Sequence, residues 1–296
     1  MSPRLCPAFL LMCFWVLPAP GQTDDFTDGN DDGWTRFDPL GTALGSPYAL
    51  HQVQFGQYRL SCEPSPDPST IGPARLAAYR ADTVYGDFTA VVDVVSWNAA
   101  LDQSFGFIAR VQPDPAPGAL NGYALNYQPF DQDIEINRIV AEQPVNLARV
   151  SLNLAPGDSY RFVFTGQGNL LQAAVYNLTD PLLPLTSLTA LDGTFTSGQV
   201  GLFAYDTTGT GAVNVTFDSY SAGPAAVPSL TFSHTSTDFT VEWPRRTGAW
   251  HLESSTDLAL WSDVTLEGIV SGEIIAYPQE LSGRRFYRLA EGWLSP

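Results

Sequence analysis

The chain of 296 residues is 44% apolar and 15% charged, with 25 Gly and 23 Pro, which supplies enough apolar material for folded cores and too little charge for a disordered acidic tail. Its 14 basic residues, all Arg, stand against 31 acids, and the net charge of −17 repels phosphate backbones and anionic lipid surfaces, which sets nucleic-acid binding aside. The length suits about two domains of ordinary size.

Residues 1–22 carry one positive charge at Arg4, an apolar run from Ala8 to Leu17, and then Pro18-Ala19-Pro20-Gly21-Gln22. This is the layout of a secretory signal peptide. The run is about half of the ~20 residues that a membrane span needs, and no second long apolar run follows, so no membrane insertion is expected. Lipidation at Cys13 is disfavoured because Met12 is not a small residue. Removal of the leader takes Cys6 and Cys13 with it. Cys62 then stands alone in the strand-like run Tyr58–Cys62, where a small buried apolar role is expected and no intramolecular disulfide can form. The destination read from these features is secreted, periplasmic or cell-surface.

Asp24, Asp25, Asp28, Asn30, Asp31 and Asp32 follow within nine residues, with Gly29 and Gly33 among them. Hard oxygen donors at this density suit Ca²⁺, although the spacing is not that of an EF-hand; the alternative is a solvated turn capped by its own side chains. Beyond it, Gly, Pro, Asn or Asp interrupts the chain every 8 to 15 residues, and the intervening runs are rich in Val, Phe, Tyr and Thr. Strands are expected at Tyr48–Val53 and Gln57–Cys62 joined through Phe55-Gly56, then at Asp87–Trp97, Ser104–Gln112, Gly122–Gln128, Asp133–Val140, Tyr160–Thr165, Leu170–Leu178, Gln199–Tyr205 and Val213–Ala222. No helix stands out. So many antiparallel strands in one unit should divide into two packed sheets, a sandwich or jelly roll.

Asp24-Asp25-Phe26, Tyr85-Gly86-Asp87-Phe88, Tyr160-Arg161-Phe162-Val163-Phe164 with Gly168-Asn169, Gly198-Gln199-Val200-Gly201-Leu202-Phe203-Ala204-Tyr205 and Phe217-Asp218-Ser219-Tyr220 occur in an order that resembles concanavalin A-like, laminin-G-like jelly rolls over residues 24–222. That resemblance implies a structural calcium tying the first strand to the last, which would recruit Asp25 and Asp218; with the acid-rich turn the candidate ligands are Asp24, Asp25, Asp28 and Asp218. The connector Gly223-Pro224-Ala225-Ala226-Val227-Pro228 then separates a tail of short strands at Ser229–Ser236, Asp238–Pro244, Trp250–Ser255, Glu273–Tyr277 and Arg285–Leu289. Phe239-Thr240-Val241-Glu242-Trp243-Pro244, His251-Leu252-Glu253-Ser254-Ser255-Thr256-Asp257-Leu258 with Trp261, and Arg285-Phe286-Tyr287-Arg288-Leu289 resemble the fibronectin-like modules that close exported proteins of Verrucomicrobia and Planctomycetes. The organisation expected is therefore a signal peptide at 1–22, a jelly roll at 23–223, a linker at 224–228 and a fibronectin-like module at 229–296. The jelly roll carries most of the acidity, with 22 acids against 8 Arg.

Two resemblances bear on chemistry. Laminarinase-type members of the fold act through a Glu-x-Asp-x-x-Glu strand. The nearest strand here reads Asp133-Ile134-Glu135-Ile136-Asn137-Arg138, in which Asp133, Glu135 and Asn137 share one face and Ile134 and Ile136 the other. Two carboxylates two residues apart on a strand lie roughly 6 to 7 Å from each other, but the third acid of that pattern is absent. Exported 3-keto-glycoside hydrolases share a Tyr-Gly-Asp-Phe phrase, matched by Tyr85–Phe88, and a later strand ending in Arg, matched by Gly106–Arg110; their Tyr-Glu-x-Gln is replaced here by Tyr123-Ala124-Leu125-Asn126. Ala124 removes that carboxylate, while Arg110, Asn126 and Tyr127 remain as candidate ligand contacts. Trp34, Trp97, Tyr123 and Tyr127 are candidates for stacking on sugar rings, though aromatic residues in strands more often fill cores. His51, His234 and His251 show no metal-ligand spacing.

The leading reading is a secreted, non-catalytic binding or adhesive protein that recognises carbohydrate or another extracellular polymer. Its rivals are a glycan-processing hydrolase using Asp133 and Glu135, and a structural surface component with no small ligand. The leader predicts a secreted chain that begins between Gln22 and Asp24; N-terminal sequencing that finds Met1 or an acylated Cys13 contradicts it.

Overall fold

Apolar residues alternate with polar ones along most strands, so each strand has one face to hide, and two sheets must hide them against each other. A computed structural model describes residues 21–113, 115–181, 183–225, 230–234, 238–244, 250–264, 268–271, 274–280 and 285–291. Residues 1–20 of the leader, with Cys6 and Cys13, and the linker from Ala226 to Pro228 lie outside the described residues.

In chain order the first part contains β1 (Gln22–Asp24), β2 (Trp34–Phe37), α1 (Pro39–Leu44), β3 (Leu50–Gln54), β4 (Gln57–Cys62), α2 (Pro68–Ile71), β5 (Arg75–Arg80), β6 (Phe88–Trp97), β7 (Gln103–Val111), β8 (Gly122–Gln128), β9 (Asp133–Val140), β10 (Gln143–Ser151), β11 (Tyr160–Gln167), β12 (Leu170–Asn177), β13 (Thr186–Leu191), β14 (Gln199–Asp206) and β15 (Val213–Gly223). They form two antiparallel sheets. The first runs β13-β12-β11-β6-β15-β4-β3, with β1 also on β15; the second runs β10-β9-β8-β7-β14-β5-β2. The fold is an all-β, two-sheet jelly-roll sandwich.

Between the sheets, Phe105, Phe107 and Ala109 of β7, Tyr123, Leu125 and Tyr127 of β8, and Ile134 and Ile136 of β9 meet Phe88, Ala90, Val92 and Val94 of β6, Phe162 and Phe164 of β11, and Val215 and Phe217 of β15. Cys62 lies in this interior too, and burial pushes its thiol up to about 12, as suits a small apolar residue rather than a nucleophile. On the outer face of the first sheet, Arg161 of β11 lies directly across from Asp93 of β6 and grips it with two hydrogen bonds of 2.7 and 2.9 Å.

Phe55 and Gly56 both take positive φ, 54° and 70°, in the two-residue turn of the β3–β4 hairpin. The two short helices correct the expectation of none. Asp38 caps α1 by accepting from Gly41 N at 2.7 Å, with Pro39 in the first turn, and α1 ends at Gly45 with φ of 72°. Its other carboxylate oxygen accepts from Tyr48 N and Ala49 N, so a single side chain fixes both the helix and the chain that returns from it.

The tail contains β16 (Thr231–His234), β17 (Asp238–Pro244), β18 (Trp250–Ser255), β19 (Ser262–Asp263), β20 (Ile269–Ser271), β21 (Ile274–Glu280) and β22 (Phe286–Glu291). They form a sheet β16-β17-β21-β20 and a sheet β19-β18-β22. Val241, Trp243, Leu252, Val264, Ile275 and Tyr277 make a core of their own. Among the described residues no helix is long and apolar enough to cross a membrane.

Candidate functional site

The alternation that turns Leu125, Ile134 and Ile136 inward sends Asn126, Glu135 and Asn137 to the outer face of the second sheet. There they line a pocket of about 280 Å³ with Phe37, Ser104, Ile108, Leu120, Gln128, Ile139, Phe203 and Tyr205 among its walls. This is at the lower end of the range for small-molecule clefts. Phe37, Ala77, Ile108 and Leu120 form an apolar cluster outside the main interior, with Phe203 packed on it. Gly106 of β7 is the register partner of both Phe203 and Asn126 and puts no side chain between them. The pocket thus has an aromatic side and an amide side.

The amide side is tightly wired. Asn137 Nδ2 donates to Asn126 Oδ1 and to Glu135 Oε2, each at 2.8 Å, and Gln128 Nε2 donates to Glu135 Oε2 at 2.8 Å. Arg149, directly opposite Glu135 in the β9–β10 register, pairs through Nη2 with Glu135 Oε1 and through Nε with Asp133 Oδ2 at 3.3 Å. The second carboxylate on the pocket wall, Glu142, accepts from Arg75 Nε and from Gly118 N, both at 2.6 Å. Asp133 is less well served, because its Oδ1 is buried with no hydrogen-bond partner among the described residues. Burial and the neighbouring Glu135 and Asp131 charges push the Asp133 carboxyl up, against the downward pull of Arg149.

Of the candidate ligand contacts, only Asn126 reaches this pocket. Arg110 is fully buried at the end of the sandwich, where Nε donates to Gly86 O at 2.9 Å and Nη1 to Gly168 O and Phe195 O at 2.8 and 2.9 Å, between the rings of Phe88 and Tyr123. A bulge with φ of 52° at Arg110 turns the side chain there; it closes the fold rather than meeting a ligand. Tyr127 is interior, its ring against Trp97 and Phe105 and its hydroxyl accepting from Leu154 N. The candidate stacking residues are interior as well. Trp34 packs with Phe26, Tyr58 and Tyr220, Trp97 with Phe105 and Tyr160, and Tyr123 with Phe195. Asp133 and Glu135 do share a face, as their spacing predicts, and that face is buried and bridged by Arg149.

The sequence reading missed Phe203, Tyr205, Gln128 and the Arg75–Glu142 pair. The signal for the first two was present: inward Leu202 and Ala204 oblige Phe203 and Tyr205 to point out together.

The candidate calcium ligands are engaged locally. Asp24 accepts from Phe26 N and from Trp34 Nε1, Asp25 from Thr27, Asp28 from Asn30 N, and Asp218 from Ser219 N. Burial raises the Asp218 carboxyl against the hydrogen bond from Ser219 N, with smaller upward pushes from the charges of Asp93, which Arg161 pairs, and Asp25. Among the described residues no group of three or more His, Cys, Asp or Glu side chains is placed to hold a metal, so carbonyl and water oxygens would have to complete any calcium shell at this end.

No family model and no curated protein matches the chain. Among solved structures it is similar to the carbohydrate-binding module CBM66 from Bacillus subtilis, at 15% identity and a TM-score of 0.45 over 63% of this chain and 95% of that one. It is also similar to a prokaryotic β-1,3-1,4-glucanase (lichenase) from a mouse hindgut metagenome, at 14% and 0.49 over 69% and 98%. A third likeness is to basic winged bean lectin with Tn-antigen, at 10% and 0.47 over 69% and 97%. At these identities the likeness is one of fold.

The Asp133 environment carries a signed expectation. An acid whose folded-state pKa is raised costs stability above its unfolded value of 3.8, and costs nothing below it. Asp133→Asn should therefore stabilise the protein in denaturant titrations at about pH 7 and change nothing at about pH 3. Destabilisation at neutral pH would contradict this account of the site.

Proposed function

We propose that the protein is a secreted binding protein that holds a carbohydrate chain in the groove of the second sheet without turning it over. The observation that carries the reading is that both carboxylates on the groove wall are already engaged by the chain's own side chains and backbone: Glu135 by Arg149, Gln128 and Asn137, and Glu142 by Arg75 and Gly118 N. Glycoside hydrolysis needs one carboxyl free to give a proton and another free to attack or to activate water. A sugar needs something different, namely fixed amides and hydroxyls for its own hydroxyls and an apolar wall for its C–H face. Asn126, Asn137, Gln128 and Ser104 offer the first, and Phe203, Tyr205 and Phe37 the second.

The reading predicts that a glycan panel yields a ligand for the intact chain, and that Asn137→Ala weakens it about 3- to 10-fold, the worth of one or two neutral hydrogen bonds. No release of reducing sugar from β-glucans or 3-keto-glycosides is expected. Steady hydrolysis that vanishes in Glu135→Gln would overturn the reading in favour of the hydrolase.

A structural calcium at Asp25 and Asp218 is a separate part of the proposal, supported by the β1–β15 pairing, which sets Asp24 opposite Tyr220 and so brings Asp25 to the stretch that carries Asp218. A cation bound only by the folded state stabilises it by mass action. Chelation should lower the melting temperature, and Asp218→Asn should remove the sensitivity; an unchanged melt in excess chelator with no metal by elemental analysis rules the ion out.

A further inference from the structure

Asp133 and Glu135 are two carboxylates served by one cation. Arg149 reaches both from β10, the edge strand of its sheet, and its side chain is 54% exposed, whereas theirs are 7% and 5% exposed. The acids are thus built into the sheet while their counter-ion lies over them from the solvent side. The second nearby cation on this face, Arg75, is taken by Glu142, and Arg138 is held by Asp192 at 2.8 Å. Two buried oxygens of the pair, Asp133 Oδ1 and Glu135 Oε1, accept no hydrogen bond among the described residues, and the second is touched only by the Arg149 guanidinium. A pair of acids with oxygens left over, beside a groove lined with amides, can take a positive charge and further N–H donors.

We propose that the Asp133–Glu135 pair receives the ammonium group of a cationic amino sugar, with the Arg149 guanidinium holding that place while the groove is empty. The inference rests on the groove reading above and adds to it the charge class of the ligand. An ammonium is compact and carries three N–H donors that can be aimed at separate acceptors, whereas the planar guanidinium leaves Asp133 Oδ1 unmet. Displacing Arg149 returns an exposed guanidinium to water, and the incoming ammonium takes its place beside the buried acids, so that their charge stays compensated throughout. Glu135 lies on the groove wall beside Asn126 and Asn137, so a sugar hydrogen-bonded to those amides brings a substituent of its ring to the carboxylate pair. Uronate or sulfate groups would be repelled there, and an N-acetyl group offers one neutral donor in place of a charge.

The test is calorimetric titration of the intact chain with glucosamine hexamer and with N-acetylglucosamine hexamer, in about 0.15 M salt to screen the chain's overall negative charge. The glucosamine oligomer should bind about 10-fold more tightly, in the range set by one charge-assisted hydrogen bond. Asp133→Asn should erase that preference while leaving the affinity for the N-acetylated oligomer in place; Asp180→Asn, which removes an exposed acid elsewhere, should leave the preference intact. Arg149→Gln should tighten the glucosamine oligomer further. Equal affinities for the two oligomers, or a preference that survives in Asp133→Asn, would overturn the proposal and mark any attraction as that of an acidic protein for a polycation. Failure of the glucosamine oligomer to bind also overturns it, and a neutral glycan still bound in an Asn137-dependent way would show that the groove reading stands without it.

Discussion

Two sheets that hide one face each impose a strict rule on this chain: a residue's neighbours in sequence belong to the opposite side. The interior needs Leu125, Tyr127, Ile134 and Ile136 from β8 and β9. Once those are inside, Ala124, Asn126, Gln128, Asp133, Glu135 and Asn137 have no choice but the outer face. The polar stripe of the groove is therefore a consequence of the core, and a one-residue slip of β9 would bury three charges or amides and expose two isoleucines. Rigid placement of the polar stripe follows from the same rule, since Asn126, Gln128, Glu135 and Asn137 stand on the inner strands β8 and β9 rather than on loops.

The groove's polarity is costly, and the way the cost is met defines the site. Burying carboxylates is tolerable only with partners. Glu135 has three donors, Glu142 has two, and Asp133 shares what remains of Arg149. An apolar or amide residue would serve stability better at Asp133. Strain of that kind, concentrated at one position beside the groove, supports the proposed binding role.

Much of the fold was legible because the chain punctuates itself. Strands bounded by Gly, Pro or Asn turns, such as Gln57–Cys62, Gly122–Gln128 and Asp133–Val140, are found at the predicted ends. β5 was missed because its Leu-Ala-Ala-Tyr centre is buried on both faces and shows neither alternation nor β-branching. β10 was missed because it is an exposed edge strand containing Pro144 and a bulge between Asn146 and Ala148. That omission mattered, because β10 supplies Arg149 and so decides how the acids of β9 are used. Arg110 was misread for a related reason: a bulge, which leaves little trace in sequence, turns it from the sheet face into the end of the sandwich. The stacking candidates Trp34 and Trp97 were drawn inside by other aromatic side chains, a preference that depends on tertiary neighbours.

The central claim is that ligand recognition belongs to the outer face of the second sheet. It is tested most directly by following the side-chain amide resonances of Asn126, Gln128 and Asn137 in an isotope-labelled sample while a bound glycan is titrated in. The account predicts saturable shifts confined to these three amides and to the backbone of β8, β9 and β14. Shifts clustered instead on the first sheet, or on the strands from Thr231 onward, with the three amides unmoved, would contradict it.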